Sequence, residues 1–548
     1  MYRQPLYLVL AAPFFLTGCN LSSSGDDPIE FGDPETGTTF IEVFPDATES
    51  MFARGSGEGY GGLAWLDYDR DGDLDMLFTN EKTYANALFS NNGDGTFTDV
   101  TIEANALITT GNSGVVVGDI DNDGWPDIFM SGSGFFAGSS QSQTVLLHNQ
   151  GPDDDGVVKF VDIAASAGVP GAETALSAAF GDINNDGYVD LFITAEGHVS
   201  FGVGGGGPPA QHEDKLYLNN GDLTFTDISV SSGANGGLGS CAASFSHFDD
   251  DEFIDLFVAV CNDVGFAPTP WHVYRNNGDN TFTDVAPMTQ LNAGGFWMSS
   301  TFGDIDNDGD FDIFSTNLGG GNKHRLWRNN GDGTYVDIAS DEMAINFWSW
   351  GATFADFDND GFQDLYYGGE LPGGAPIGKG GEGYLFMNDG DSRFTRDTEA
   401  GIPDLSGKGV TGIAKADFDN NGFVDIAIMT APRGGSNAPL LYRNEGNGNN
   451  WVSVRLEGRS VNPGGPISNR MAIGARVEVI SNAGVFQARE IWAGSSFVSS
   501  ESQWPVFGLG QATEVDATVY WPSGLAEEFS DLDAGELHHL VEGEGSAL

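Results

Sequence analysis

"GDIDNDGWPD", residues 118–127, sets Asp119, Asp121, Asp123 and Asp127 within a single short stretch. Carboxylates this crowded repel one another, so a fold that gathers them needs a cation to offset the charge. The pattern D-x-D-x-D-G-x-x-D keeps returning. It reads DYDRDGDLD from Asp67, DIDNDGWPD from Asp119, DINNDGYVD from Asp182, DIDNDGDFD from Asp304, DFDNDGFQD from Asp356 and DFDNNGFVD from Asp417. A degenerate copy, HFDDDEFID, starts at His247. Successive copies begin 52 to 65 residues apart, and a period of that length marks a repeat architecture.

Each loop lies between two strand-like runs, as in SGVVVGD before and IFM after. A second signature follows, as in LFSNNGDGTFTDV (88–100) and LYLNNGDLTFTDI (216–228), where Asn-Gly-Asp between apolar runs signals a hairpin. One unit is therefore four strands: A, the acidic loop, B, a variable loop, C, the NNGDG turn, and D. Seven such units predict an all-β fold, a seven-bladed β-propeller with cation-binding hairpin loops. The FTDV-type strand missing from the last unit is found before the first loop, as FIEV at Phe40–Val43. An N-terminal strand that completes the last blade removes an open edge.

In each loop, positions 1, 3 and 5 offer side-chain oxygens, position 7 a backbone carbonyl and position 9 a further carboxylate. The first loop supplies Asp67, Asp69, Asp71, Asp73 and Asp75, and the second Asp119, Asp121, Asp123, Trp125 and Asp127. The third supplies Asp182, Asn184, Asp186, Tyr188 and Asp190; the fifth, Asp304, Asp306, Asp308, Asp310 and Asp312. The sixth supplies Asp356, Asp358, Asp360, Phe362 and Asp364; the seventh, Asp417, Asp419, Asn421, Phe423 and Asp425. The fourth keeps only Asp249, Asp251 and Asp255. Hard oxygen donors in this number suit Ca²⁺ better than Mg²⁺, giving about six sites and a weak seventh. An EF-hand is excluded, because position 12 is an apolar strand residue such as Phe78. At roughly millimolar Ca²⁺, sites with dissociation constants of about 10⁻⁴ to 10⁻³ M would each add on the order of 0.4–1.4 kcal/mol.

The loops and strands over about residues 40–445 resemble FG-GAP (VCBS) repeats of the integrin α-chain type. That resemblance implies a seven-bladed propeller with Ca²⁺ in the A–B loops of one face. The rhythm then changes. NWVSVRLEG (450–458), SNRMAIGARVEV (468–479), QAREIWAGSSFVSSES (487–502) and VDATVYWPSG (515–524) together resemble the ASPIC/UnbV domain, which follows FG-GAP repeats in the cartilage acidic protein family. Alternation in VSVRL, ARVEV and ATVYW predicts a small β-sandwich. Arg470, Arg476 and Arg489 in this region are read as salt-bridge partners or an anion site.

The N-terminus, MYRQPLYLVLAAPFFLTGCN, carries a basic residue and an apolar run too short to span a bilayer. Leu16-Thr17-Gly18-Cys19 resembles a bacterial lipobox, which implies cleavage before Cys19 and its lipidation, with export to the outer membrane or cell surface. The domain reading is then a signal peptide over 1–18, a flexible tether over 19–39, the propeller over 40–448 and the ASPIC/UnbV-like domain over 449–548. Cys241 and Cys261 remain; aligning the fourth hairpin on the others sets them opposite each other, which predicts a disulfide.

A formal charge of −58 disfavours nucleic acid and anionic membrane surfaces as partners. The longest loops join strands B and C. With Phe135, Phe136, Trp271, His272, Trp297, Trp348 and Trp350 they suggest an aromatic face for a glycan or protein ligand. Three functions stay open: a non-enzymatic, lipid-anchored binding or adhesion module; a polysaccharide lyase or hydrolase using that face; and a scaffold in an envelope complex. No nucleophile elbow, P-loop or HExxH is present.

Overall fold

β-branched and aromatic residues on both sides of each acidic loop pair into hairpins, and two further strands extend each hairpin into a sheet. A computed structural model describes residues 29–33, 38–43, 61–80, 85–132, 143–170, 175–195, 213–236, 239–249, 251–261, 269–291, 293–318, 323–344, 348–370, 383–390, 392–398, 400, 409–431, 439–459 and 467–548. Cys19, Phe135 and Phe136 lie outside them. In the second unit, Asn112–Gly118 pairs with Asp127–Gly132, and Val145–Pro152 and Val158–Asp162 follow outward. The repeats form six four-stranded sheets and one of five strands. Their inner strands are Leu63–Leu66, Asn112–Gly118, Ala175–Gly181, Ser240–Ser246, Thr301–Gly303, Trp348–Ala355 and Gly409–Ala416.

The five-stranded sheet is the seventh unit. Thr38–Val43 pairs antiparallel with Leu440–Asn444, with Phe40 opposite Asn444, in the place expected for the N-terminal strand. Ile29–Asp33 pairs outside it, so part of the expected tether is a strand. Apolar cores fill each gap between successive sheets. Val115 and Val117 of the second unit meet Ala64 and Leu66 of the first, and Trp65 and Leu63 of the first meet Ala414 and Phe418 of the seventh.

The fourth hairpin carries the expected Cys241–Cys261 disulfide. Its register differs from the expected one: Ala242 faces Ala259 and Ser240 faces Val260, with the register shifting between them at Cys241. Shifts of this kind recur near the start of the second, third, sixth and seventh inner strands.

Asparagines lace the units together. The strand-C Asn of six units donates its side-chain N–H to a carbonyl of the preceding unit. Asn149 reaches Tyr68, Asn219 reaches Ile120, Asn276 reaches Ile183, Asn388 reaches Ile305, Asn444 reaches Phe357, and Asn91 of the first unit reaches Phe418 of the seventh. The loops are linked in the other direction. Asn122, Asn185, Asn307 and Asn359 donate to carbonyls of Gly187, Glu252, Gly361 and Gly422, and Asn420 donates to Asp73. Between the fourth and fifth units the strand-C link is absent among the described residues, and the sequence offers no Asn for the loop link. There, Asn329 contacts Phe311 and Tyr335 of its own unit, and position four of the fourth loop is Asp250, whose side chain has no N–H to give.

Beyond residue 449 the chain forms a three-stranded and a five-stranded sheet around one core that includes Val454, Val477, Phe507, Val519 and Trp521. Between them, residues 493–502 reach the inner strand of every unit. Ala493 and Ser496 carbonyl and amide groups meet Phe180 and Ser300, Gly494 meets Ser244, and Ser496 Oγ accepts from Ala352. Val498 accepts from Val115, Ser500 exchanges bonds with Leu63 and Trp65, and Ser502 donates to Lys415. A ten-residue segment touches seven strands only if they surround it. The small residues of GSSFVSS make that approach possible: Gly494 has φ +95°, and a Cβ there would lie 2.4 Å from the Ala178 carbonyl oxygen. Gly484 has φ +83° but open space around it. Gly484→Ala should therefore cost about 1 kcal/mol of backbone strain, and Gly494→Ala several times more. Thermal unfolding midpoints compare the two; equal losses would remove the inserted segment from the account of stability.

Candidate functional site

The acidic loop is built by its own backbone. Position four (Arg70, Asn122, Asn185, Asn307, Asn359, Asn420) and the Gly at position six take positive φ, for example +60° at Asn122 and +88° at Gly124. Asn and Gly tolerate that conformation best. The turn then aims backbone N–H groups at the carboxylates. The Gly124 N–H lies 2.7 Å from Asp119 Oδ2, and the same bond recurs in the third, fifth, sixth and seventh loops.

Position nine has a different task. Asp127 Oδ2 accepts from the Ile120 N–H at 2.9 Å and its Oδ1 from the Asn149 N–H at 2.7 Å. Asp75, Asp190, Asp255, Asp312, Asp364 and Asp425 repeat both bonds, tying the loop to strand C. Each of these residues is buried.

Carboxylates within a loop also converge, and in the second loop Asp127 is one of them. Oxygens of Asp67, Asp69 and Asp71, of Asp119, Asp121 and Asp127, of Asp304, Asp306 and Asp308, and of Asp356, Asp358 and Asp360 lie within 4.8 Å of one another in each group. Burial, aided by like charges nearby, pushes Asp119, Asp182 and Asp417 up to about 7. Asp304 reaches about 7 and Asp67 about 6 by burial, against the pull of Arg489 and Arg455. Buried oxygens of Asp67, Asp69, Asp306 and Asp417 have no hydrogen-bond partner. Hard anionic donors left unpaired in a dry site fit a hard divalent cation. In the second loop, His148 Nε2 lies 2.9 Å from Asp121 Oδ2, which adds an imidazole beside the oxygen set.

The fourth loop is organised otherwise. His247, in place of the first Asp, meets Glu490 of the C-terminal region at 2.6 Å, and Ser246 donates to the same carboxylate at 2.5 Å. A hydrogen-bonded pair, with Glu490 buried and His247 half-buried, thus replaces the first ligand position.

Family models agree with this construction. The FG-GAP-like repeat model matches residues 51–130, 247–315 and 312–367, and the ASPIC and UnbV model matches residues 465–547. The chain carries FG-GAP repeats followed by an ASPIC/UnbV domain. Cartilage acidic protein 1 of Homo sapiens is 23% identical over 501 residues, covering 88% of this chain and 71% of that protein. Its Xenopus tropicalis counterpart is 24% identical over 488 residues, covering 84% and 70%. Among solved structures, the BP39L lectin of Burkholderia pseudomallei aligns with a TM-score of 0.46 at 9% identity, over 70% of this chain and 96% of that one. An intramolecular trans-sialidase of Ruminococcus gnavus aligns with a TM-score of 0.34 at 11% identity, over 72% and 95%.

The ASPIC/UnbV domain sits on the loop face of the FG-GAP repeats. Arg455 pairs with Asp67 at 3.1 Å, the Arg470 amide donates to Asn122, and Ile467 donates to Asn185. Arg489 is buried, bonds Ala488 and Gln487, and places its charge near Asp304 and Asp356. Arg470 pairs with Glu457 and Arg476 with Glu478, the salt-bridge reading of these arginines. The sequence alone showed no sign of this docking.

The expected aromatic face needs correction. Trp271, Trp297 and Trp350 are 1%, 0% and 1% exposed. Trp271 and Trp297 both pack edge-on against Trp327, filling the gap between the fourth and fifth sheets, and Trp350 packs on Phe497 of the inserted segment. Trp348 is half-buried beside that segment, and His272 pairs with Asp284 at 2.7 Å. Large rings fill the gaps between sheets, so they do not form an exposed platform.

The raised carboxylates make stability without a cation depend on pH. Their ordinary value is about 3.9, so the stability these groups contribute without a cation is full below about pH 4 and lost as pH rises through about 7. A bound cation requires the ionised form and works in the opposite sense. The gain in melting temperature on adding millimolar Ca²⁺ to chelated protein should therefore grow markedly from pH 5 to pH 7.5. A gain that is the same at both values would count against the loops as cation sites.

Proposed function

We propose that this chain is a Ca²⁺-stapled propeller of seven blades, closed by its N-terminal strand and carrying a C-terminal β-sandwich, that serves as a non-enzymatic binding module. The observation that carries this reading is the set of convergent loop carboxylates whose buried oxygens find no partner in the protein. Position-nine carboxylates hold the loop backbone, Asp127 also joins a converging group, and the other loop carboxylates face the same cation positions. Chemistry of that kind stabilises a rigid scaffold; it leaves recognition to the surface between and above the loops. The mixed, strongly acidic surface favours uncharged or basic ligands, which includes neutral glycans.

The lipobox-like Leu16-Thr17-Gly18-Cys19 supports an exported, lipid-anchored form. Full-length protein with Cys19 intact should partition into the detergent phase, and Cys19→Ala should move it to the aqueous phase; partitioning unaffected by the change removes the anchor from the reading.

Affinity electrophoresis through gels containing single polysaccharides with Ca²⁺ tests the binding role. Retardation by one polymer without its breakdown is expected. Breakdown of the polymer would replace the binding module with an enzyme, and free migration through every gel would turn the reading toward a protein ligand.

A further inference from the structure

A cleft of about 810 Å³ opens between the fourth and fifth loops beneath the ASPIC/UnbV domain. It lies at the junction where Asn329 bonds within its own unit and the sequence puts Asp250 in place of the loop Asn. Elsewhere, a loop-to-loop or strand-to-carbonyl hydrogen bond draws the loop ends of neighbouring units together. Here the tryptophan cluster around Trp327 holds the two sheets, and the cleft opens between their loops. The volume falls within the ~300–1,000 Å³ typical of small-ligand sites.

Its walls combine two chemistries. Phe248, the 42%-exposed Tyr520 and the 73%-exposed Met288 offer apolar surface, and Asp251, Arg275 and Asp332 offer charged, planar hydrogen-bonding groups. Within the wall, Trp521 is 3% exposed, and its indole N–H has no acceptor in the protein. The frame does not rely on a cation. The Asp255 carboxylate and the His247–Glu490 pair hold the fourth loop, and the exposed Asp251, whose Oδ1 accepts from the Phe253 N–H, turns its Oδ2 to a ligand.

We propose that this cleft binds a short neutral oligosaccharide. A sugar ring presents an apolar C–H face to an aromatic side chain, and hydroxyls that both donate and accept. Carboxylates and a guanidinium beside the exposed Tyr520 ring answer both demands. A polyanionic chain meets an acid-rich wall in a chain of net charge −58 and is disfavoured. The assignment rests on the binding-module reading and narrows it to one site and one ligand class.

Calorimetric titration of the full chain in Ca²⁺ with maltotriose, cellotriose and N,N′,N″-triacetylchitotriose tests it. At least one trisaccharide should bind saturably, with Tyr520→Ala and Arg275→Ala each weakening it about ten-fold or more while leaving the melting temperature in Ca²⁺ unchanged. Binding that survives both substitutions overturns the cleft but leaves the binding module standing. Failure of all three sugars overturns the oligosaccharide assignment, and the polysaccharide gels then decide whether the wider reading falls with it.

Discussion

Each repeat depends on one buried aspartate that accepts two backbone N–H groups. Asp127 and its six counterparts join the turn of the acidic loop to strand C, and thereby fix where the other carboxylates point. Asn preserves only one acceptor oxygen, and Glu places both a bond farther away. Burial raises Asp127 well above its ordinary value, so the site resists ionisation unless positive charge is near. The backbone N–H groups supply part of that charge and, in our reading, a cation supplies the rest. Removing one such carboxylate strands two buried donors, a cost of about 1–3 kcal/mol for each.

Much of this was legible in the chain. The D-x-D-x-D-G-x-x-D spacing located the loops, the flanking runs gave four strands per unit, and FIEV gave the strand that joins the seventh sheet. The disulfide was legible too, although the register was not, because the shift between Ser240 and Ala242 leaves no mark in the residue pattern. The tryptophans misled for a physical reason: an aromatic beside a long loop reads the same whether it faces solvent or a neighbouring sheet. Only the packing of Trp271 and Trp297 on Trp327 distinguishes the two. The stretch 493–502 was opaque because its contacts run to residues hundreds of positions earlier, and a run of Gly and Ser says only that something comes close.

The fourth unit shows what a repeat gains by breaking its pattern. Loss of the first Asp and of the loop Gly was visible as degeneracy, and the obvious reading was a weakened ion site. The same unit carries Asp250 in place of the loop Asn, and the structure adds Glu490 as partner to His247 and a disulfide across the hairpin. These changes are concentrated at one junction, so the ring of repeats has one side unlike the rest.

The segment that occupies the middle of the ring also bears on how the chain is made. The strand at Thr38–Val43 must wait for Leu440–Asn444, and the inner strands of all seven units lack their central partner until residues 493–502 emerge. Closing contacts so distant in sequence is slow. The early units are therefore synthesised long before the surfaces they bury against exist. A chain that stops short of its last hundred residues is left with a hollow centre and uncovered loops, which marks it for proteolysis. Completion of the polypeptide is in this way built into the geometry of the folded state.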